Sequence, residues 1–150
     1  MLKRLSIKKK ILIALTAAML LFIWGQSLLP QDVSAQESGW FTVHILNPIL
    51  GWFGMTADRV IVRKLAHVTE YAVYAFLVTL YFDGKAKRVF PIGFLTAFSD
   101  ETVQIFSKRG PMIADVWIDL LGVAIGFAAA GGVTAFIRLR KQRRSTQQTA

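Results

Sequence analysis

Residues 11–29 read ILIALTAAMLLFIWGQSLL, an apolar run without a charged side chain that ends before Pro30. An α-helix needs about 20 mainly apolar residues to cross the hydrocarbon core of a bilayer. Three further apolar stretches of similar length follow at residues 65–82, 89–106 and 116–137. The stretches at residues 65–82 and 89–106 have ionisable residues at one end, whereas those at 11–29 and 116–137 are almost free of charge. The pattern predicts an all-α, polytopic integral membrane protein with four transmembrane helices.

The composition agrees with a membrane protein and excludes several other classes. Of the 150 residues, 54% are hydrophobic and 18% are charged, whereas soluble chains have about 45–50% and about 25%. A net charge of +9 in a soluble protein would suggest nucleic-acid binding, but ten of the 18 basic residues lie in residues 1–10 and 138–144. Basic ends around an apolar middle are typical of a membrane protein, so no nucleic-acid partner is expected. The absence of cysteine excludes disulfides and thiol catalysis.

The basic residues also predict an orientation, because short cytoplasmic loops of membrane proteins are enriched in Lys and Arg. With both termini in the cytoplasm, thirteen basic residues lie inside and five outside. The sequence therefore predicts a multi-pass plasma-membrane protein with both termini cytoplasmic. Residues 1–142 form one transmembrane domain in this interpretation, and residues 143–150 read as a disordered cytoplasmic tail.

The first apolar run has a second interpretation, which the sequence leaves open. Basic residues 1–10, the apolar run and Val33-Ser34-Ala35 also resemble a signal peptide cleaved after Ala35. The run is longer than the usual apolar region of about 7–15 residues, which favours a retained span. Cleavage would leave three spans with the same orientation.

The long outer loop, residues 31–63, divides into two parts. Residues 31–39 are polar and read as irregular, whereas residues 40–55 are rich in aromatic and aliphatic side chains. The second part is too short to span a bilayer and is interrupted by Asn47-Pro48. It is predicted to be a broken, amphipathic helix in the outer membrane interface, where Trp is enriched.

Polar residues cluster at the outer ends of the last three predicted spans. Ionisable side chains within a membrane are costly and usually face a bundle interior or a wet cavity. At about 100° per residue, the polar residues of each span fall on one face. Their depths also agree, so one shared polar pocket that opens outward is expected. Its residues are Lys64, His67, Glu70 and Tyr71 on the second span, Asp100, Glu101 and Gln104 on the third, Arg109 beyond it, and Asp115 and Asp119 on the fourth.

The charge of this pocket predicts a further component. Five carboxylates face two fixed positive charges, those of Lys64 and Arg109. Close carboxylates do not all ionise cheaply, so a divalent cation such as Mg²⁺ or a shared proton is expected, with Asp100 and Glu101 as leading participants. Structural interpretations stay open beside this one. Asp115 is a good helix N-cap, and the Gly122–Gly126 spacing often serves helix packing.

The combination of these motifs resembles the VanZ-like family of small bacterial membrane proteins, named for a member linked to teicoplanin resistance. The resemblance covers residues 60–126. It rests on Lys64-Leu65-Ala66-His67 with Tyr71, on Asp100-Glu101 with Gln104, on Arg109, and on Asp115 with Asp119 and Gly122. Asp119 stands where the family often has Asn.

The resemblance implies a cell-envelope protein whose outer pocket binds, and in one hypothesis modifies, a lipid-linked or peptidoglycan-related ligand or a glycopeptide. Whether the chain is an enzyme stays open. Two other classes stay open as well: a small transporter or proton or cation pathway, and a membrane adaptor without catalytic activity. The residue assignments are two sets. Glu70, Asp100, Glu101 and Asp115 are candidate catalytic or cation-binding residues, and Lys64, His67, Tyr71, Gln104, Arg109 and Asp119 are candidate ligand-binding residues.

Overall fold

The structure is a computed structural model that describes residues 6–106 and 113–148. It is built from α-helices joined by short turns, and no β-strand occurs in these two ranges, which confirms the all-α prediction. The elements are α1 (Ile7–Leu28), α2 (Gln31–Phe41), a π-helical turn (Thr42–Leu46), α3 (Asn47–Gly51), α4 (Arg59–Tyr81), α5 (Ala86–Phe106) and α6 (Ile113–Gln148).

The four predicted apolar stretches correspond to the four long helices α1, α4, α5 and α6. Two of these helices, α1 and the part of α6 from Ile113 to Arg144, are long and apolar enough to cross a membrane by length and composition. The polar and ionisable side chains of α4 lie mainly in its first half, and those of α5 lie near both of its ends. They lower the mean hydropathy of each helix.

Successive long helices along the chain run in opposite directions, so two ends of the bundle can be distinguished. Lys9 Nζ of α1 lies 3.6 Å from Asp83 Oδ2 in the turn after α4, which makes α1 and α4 antiparallel. The turn reverses the chain through Asp83 and Gly84, both at positive φ. We call this the Lys9 end. The opposite end, where Asp58 caps α4 by accepting from the Val60 N–H, is the Asp58 end.

The hydrophobic core lies between all four long helices. It includes Ile23 of α1, Val89 of α5 and Val123 of α6. On α4 it includes Tyr71 and Tyr74, followed by Ala75 and Val78. Ile23 is fully buried, so α1 belongs to the folded bundle.

Two glycines bring α6 and α4 into direct backbone contact. A Cβ atom on Gly122 would lie 2.5 Å from the Val68 carbonyl oxygen. One on Gly126 would overlap the Ala72 carbonyl oxygen. Because Gly122 faces Val68 and Gly126 faces Ala72, the two helices run parallel. Small residues at this spacing allow close approach of helix backbones, and α4 and α6 share the most extensive interface of the described residues.

The segment after α1 is more helical than its composition suggests. Residues 31–39, expected to be irregular, form most of α2. Gly39 is buried against the Arg59 side chain, and a Cβ atom added at Gly39 would lie 3.1 Å from the Arg59 Cδ. Packing on α4 therefore supports a helix whose own residues have only a weak preference for helical structure. The interruption expected at Asn47-Pro48 is the π-helical turn just before it. Proline clashes with the carbonyl four residues earlier, and the wider turn relieves that clash.

Two helix ends also differ from the sequence expectation. Helix α5 begins at Ala86, so Pro91 lies inside the helix and not in its first turn. Lys87 and Arg88 are good helix formers and extend the helix toward its N-terminus. Helix α6 continues to Gln148, through most of the segment that composition assigned to a disordered tail. The segment after Val133 has no Gly or Pro to end the helix before that point.

Candidate functional site

Three polar side chains from three helices meet inside the bundle toward the Asp58 end. His67 of α4, Asp100 of α5 and Asp119 of α6 each offer one nitrogen or oxygen atom, and these three atoms lie within 4.8 Å of one another. His67 Nδ1 is 3.5 Å from Asp119 Oδ1. Asp100 and Asp119 are fully buried. We call His67, Asp100 and Asp119 the buried cluster.

Asp119 is the member of the buried cluster whose burial most needs a compensating interaction. Its side chain is 1% exposed, and among the described residues neither carboxylate oxygen accepts a hydrogen bond. His67 is its one ion-pair contact in the described part of the chain. A buried carboxylate without compensation is costly, so this position is built to meet a positive charge or a proton.

Tyr71 adds a second polar group without a partner in the described residues. Its side chain is fully buried, and its hydroxyl has no hydrogen-bond partner there. Tyr71 follows His67 by four residues, which places both on the same face of α4. The face of α4 that meets α5 and α6 is therefore polar at this level.

Asp100 and Glu101 have different surroundings although they are adjacent. The Gln104 side-chain amide donates to Asp100 Oδ2 at 3.3 Å and to Glu101 Oε1 at 3.2 Å. Adjacent helical residues point about 100° apart, because the helix has 3.6 residues per turn. Gln104 thus holds two carboxylates that face different directions, and Asp119 is the carboxylate that shares the buried cluster with Asp100.

A groove at the surface of the bundle also reaches His67. It encloses about 640 Å³ between α1, α2 and the first turns of α4. Its apolar wall includes Met19 and Phe41, and its polar wall includes Arg63, His67 and Glu70. These three lie at positions i, i+4 and i+7, one face of a helix. His67 therefore borders both the groove and the buried cluster.

The structure distributes the other candidate residues as follows. Glu70 is partly buried in the groove wall. Asp115 lies one turn before Asp119 on α6, partly buried, and its Oδ1 has no hydrogen-bond partner among the described residues. Lys64 is exposed and makes no ion pair with a described residue. Arg109 lies outside the described residues.

Arg63 was not among the predicted site residues, although it lines the groove and Lys64 does not. Both are basic and adjacent, so residue type does not distinguish them. The spacing of Arg63 from His67 and Glu70 is the signal that would have distinguished Arg63 from Lys64. Glu37 and Ser38 were also missed, because the helix that presents them was expected to be irregular.

Comparison with known families explains the motif pattern. The family model described as VanZ/LLP1 matches residues 10–136, a range that reaches from α1 into α6 and includes the whole buried cluster and the groove. Comparisons with curated proteins and with solved structures find no match. The family match and the two apolar helices together support a membrane protein. Matched over most of its length, this chain belongs to the VanZ/LLP1 family.

Proposed function

We propose that the chain is a multi-pass protein of the bacterial plasma membrane, in which all four long helices cross the bilayer and both termini are cytoplasmic. Large apolar side chains on the outer faces of α4 and α5, such as Leu65, Leu95 and Phe98, are exposed in the bundle and would face lipid. Basic residues gather at the Lys9 end, including Lys8, Lys85 and Arg88. That enrichment favours a cytoplasmic Lys9 end.

The segment from α2 to Met55 is proposed to lie in the outer membrane interface. Several of its large apolar side chains are exposed, with Trp52 91% and Phe53 72% accessible. Aromatic side chains prefer the headgroup level of a bilayer. In that position the segment would form one wall of the groove at the depth of lipid headgroups.

The groove is proposed to bind an amphipathic, lipid-linked ligand of the cell envelope, such as a cell-wall precursor with an anionic headgroup. The observation behind this proposal is the combination in one groove of an apolar wall (Met19, Phe41) and a basic side chain, Arg63. A guanidinium binds phosphate through paired, charge-assisted hydrogen bonds. The same headgroup would come next to His67 and Glu70.

The carboxylates keep their proposed chemical roles. Glu70, Asp100, Glu101 and Asp115 are the candidates for general acid or base if the ligand is modified. A link to teicoplanin resistance is proposed through the same ligand, since this protein and teicoplanin would both act on wall precursors. A pure adaptor or a proton pathway would need no groove for a lipid chain, and ligand binding therefore separates these classes.

A matched pair of variants tests the proposal. Purified protein in detergent or nanodiscs is titrated with a polyprenyl-pyrophosphate-linked wall precursor and with a neutral lipid of the same chain length. Arg63→Gln is expected to weaken precursor binding at least about tenfold, the effect of losing a charge-assisted contact. Lys64→Gln, the adjacent control, should bind as the wild type does. Equal binding of precursor and neutral lipid would contradict the proposal, and a selective loss in Lys64→Gln would return the anion-binding role to Lys64.

A further inference from the structure

We propose that the buried cluster is a binding site for one divalent transition-metal ion, Mn²⁺ or Zn²⁺, with His67, Asp100 and Asp119 as its protein ligands. The inference concerns the interior of the bundle between α4, α5 and α6. It does not depend on the ligand of the groove.

The geometry is close to that of a metal site. Three atoms within 4.8 Å of one another surround a central point that lies at most about 2.8 Å from each. Metal–nitrogen and metal–oxygen bonds in zinc sites are about 2.0–2.2 Å long. Shifts of less than about 1 Å, within the reach of side-chain torsions, therefore bring all three ligands onto one ion.

The buried polar groups of the site need a cation to compensate them. Asp119 is fully buried, and neither of its oxygens accepts a hydrogen bond from a described residue. His67 Nδ1, at 3.5 Å, also lacks a hydrogen-bond partner in the described residues. A buried charge is usually paired or coordinated to a metal. One ion would compensate both groups at once.

The ligand set selects the class of metal. An imidazole nitrogen suits first-row transition metals such as Zn²⁺, whereas carboxylates also suit Mn²⁺ and the harder ions. One imidazole with two carboxylates therefore favours Mn²⁺ and Zn²⁺ over Mg²⁺ and Ca²⁺. Three protein ligands leave coordination positions for water or substrate, as in catalytic sites.

Groups around the cluster hold the ligands in place. The Gln104 amide donates to Asp100 Oδ2 and so orients that carboxylate. Gly122, one turn below Asp119, fixes α6 against Val68 of α4, the residue after His67. Supporting contacts of this kind orient the side chains that bind a metal directly, and their loss usually lowers the affinity for the metal. The distance between the His67 and Asp119 side chains is therefore set by the packing of the two helix backbones.

The chain contains two histidines, His67 and His44, which makes a direct experiment possible. Full-length protein, purified in detergent without any added lipid ligand, is titrated with Mn²⁺ and followed by electron paramagnetic resonance. The expected result is one bound Mn²⁺ per chain, with electron spin-echo modulation from an imidazole nitrogen. His44 is exposed and stacked on Trp40, so His44→Gln should keep both signals.

Variants of the buried cluster complete the test. His67→Gln should remove the nitrogen modulation. Asp119→Asn should weaken Mn²⁺ binding at least about tenfold, whereas the exposed Asp32→Asn should not. Zn²⁺ should displace Mn²⁺ and an equal concentration of Mg²⁺ should not. If His67→Gln fails to fold, His44→Gln still decides, since His67 is then the one histidine left.

Three outcomes would overturn the metal site: no stoichiometric Mn²⁺ binding, bound Mn²⁺ without nitrogen modulation in His44→Gln, or unchanged modulation in a folded His67→Gln. None of these would affect the groove proposal, which is measured by precursor binding. Loss of precursor binding in Arg63→Gln would likewise leave the metal result unchanged.

Discussion

The hydroxyl oxygens of Tyr74 and Thr96 are hydrogen-bonded at 3.0 Å, inside the apolar core that joins α4 to α5. The Thr96 hydroxyl is also hydrogen-bonded, at 2.9 Å, to the Ile92 carbonyl within its own helix. Both side chains are buried. The pair is a polar link on the Lys9 side of the buried cluster, and it holds α5 in register with α4.

Tyr74→Phe should therefore lower the free energy of unfolding by about 1 kcal/mol, the usual net value of one buried hydrogen bond. The phenyl ring keeps the packing, and Thr96 keeps the Ile92 carbonyl as a partner. Thermal unfolding in detergent, monitored by circular dichroism, measures the change. Tyr81→Phe, at a less buried position of the same helix, is the control. A loss above about 3 kcal/mol would mean that Tyr74 has a larger role than this link.

Gly122→Ala and Gly126→Ala should each destabilise the protein by about 1–3 kcal/mol, the range for overpacked sites. The new methyl group would meet the carbonyl oxygen of Val68 or of Ala72, and backbone atoms cannot rotate away. Gly131→Ala and Gly132→Ala lie on the same helix in open space. These two should be neutral or stabilising by up to about 1 kcal/mol, because alanine is the better helix former. Similar losses at all four positions would contradict the close α4–α6 contact.

Single cysteines test the orientation, since the chain has none of its own. Cysteines at positions 38, 87 and 146 are treated on intact cells with a thiol reagent that does not cross membranes. Labelling is expected at Ser38→Cys, on α2, and not at Lys87→Cys or Thr146→Cys. Labelling of all three after permeabilisation is the control for reactivity. External labelling at position 87 would reverse the proposed orientation.

The first helix should remain in the mature protein. Ile23 is fully buried in the hydrophobic core, and removal of α1 would expose its partners on α4 to lipid or water. The chain of residues 1–150, expressed and extracted from membranes, should therefore keep its intact mass of 16.7 kDa. A mass that lacks residues 1–35 would show that the segment is a cleaved signal peptide.

The four long helices were predictable because an apolar run and its length can be read from consecutive residues, without knowledge of tertiary contacts. Each of the four long helices contains its predicted apolar stretch to within one residue at the ends. Helix α2 was not predictable in the same way, since its polar residues have weak preferences and its Gly39 gains support from Arg59, twenty positions later. Contacts of that kind depend on where the elements pack.

The buried cluster was predictable in part, for a related reason. Facing angles within one helix indicated that polar residues of α4, α5 and α6 share a side, and the structure brings His67, Asp100 and Asp119 together. The rotation of one helix relative to another is set by packing, here by Gly122 and Gly126. Asp100 and its neighbour Glu101 were therefore the predicted pair, whereas Asp100 lies next to Asp119 and His67 in the structure. Glu101 lies next to Gln104.

The glycine contacts between α4 and α6 have a mechanical consequence. Two backbones in direct contact have no side-chain layer that can rearrange between them, so these helices would move as one rigid body. The opposite wall of the groove is formed by α1 and α2. It packs through long side chains such as Met19 of α1, which lies against the core, and Arg59 of α4, which lies against Gly39, and these side chains can change rotamer. Any widening of the groove to admit a bulky guest should therefore be a displacement of α1 and α2 away from a stationary frame.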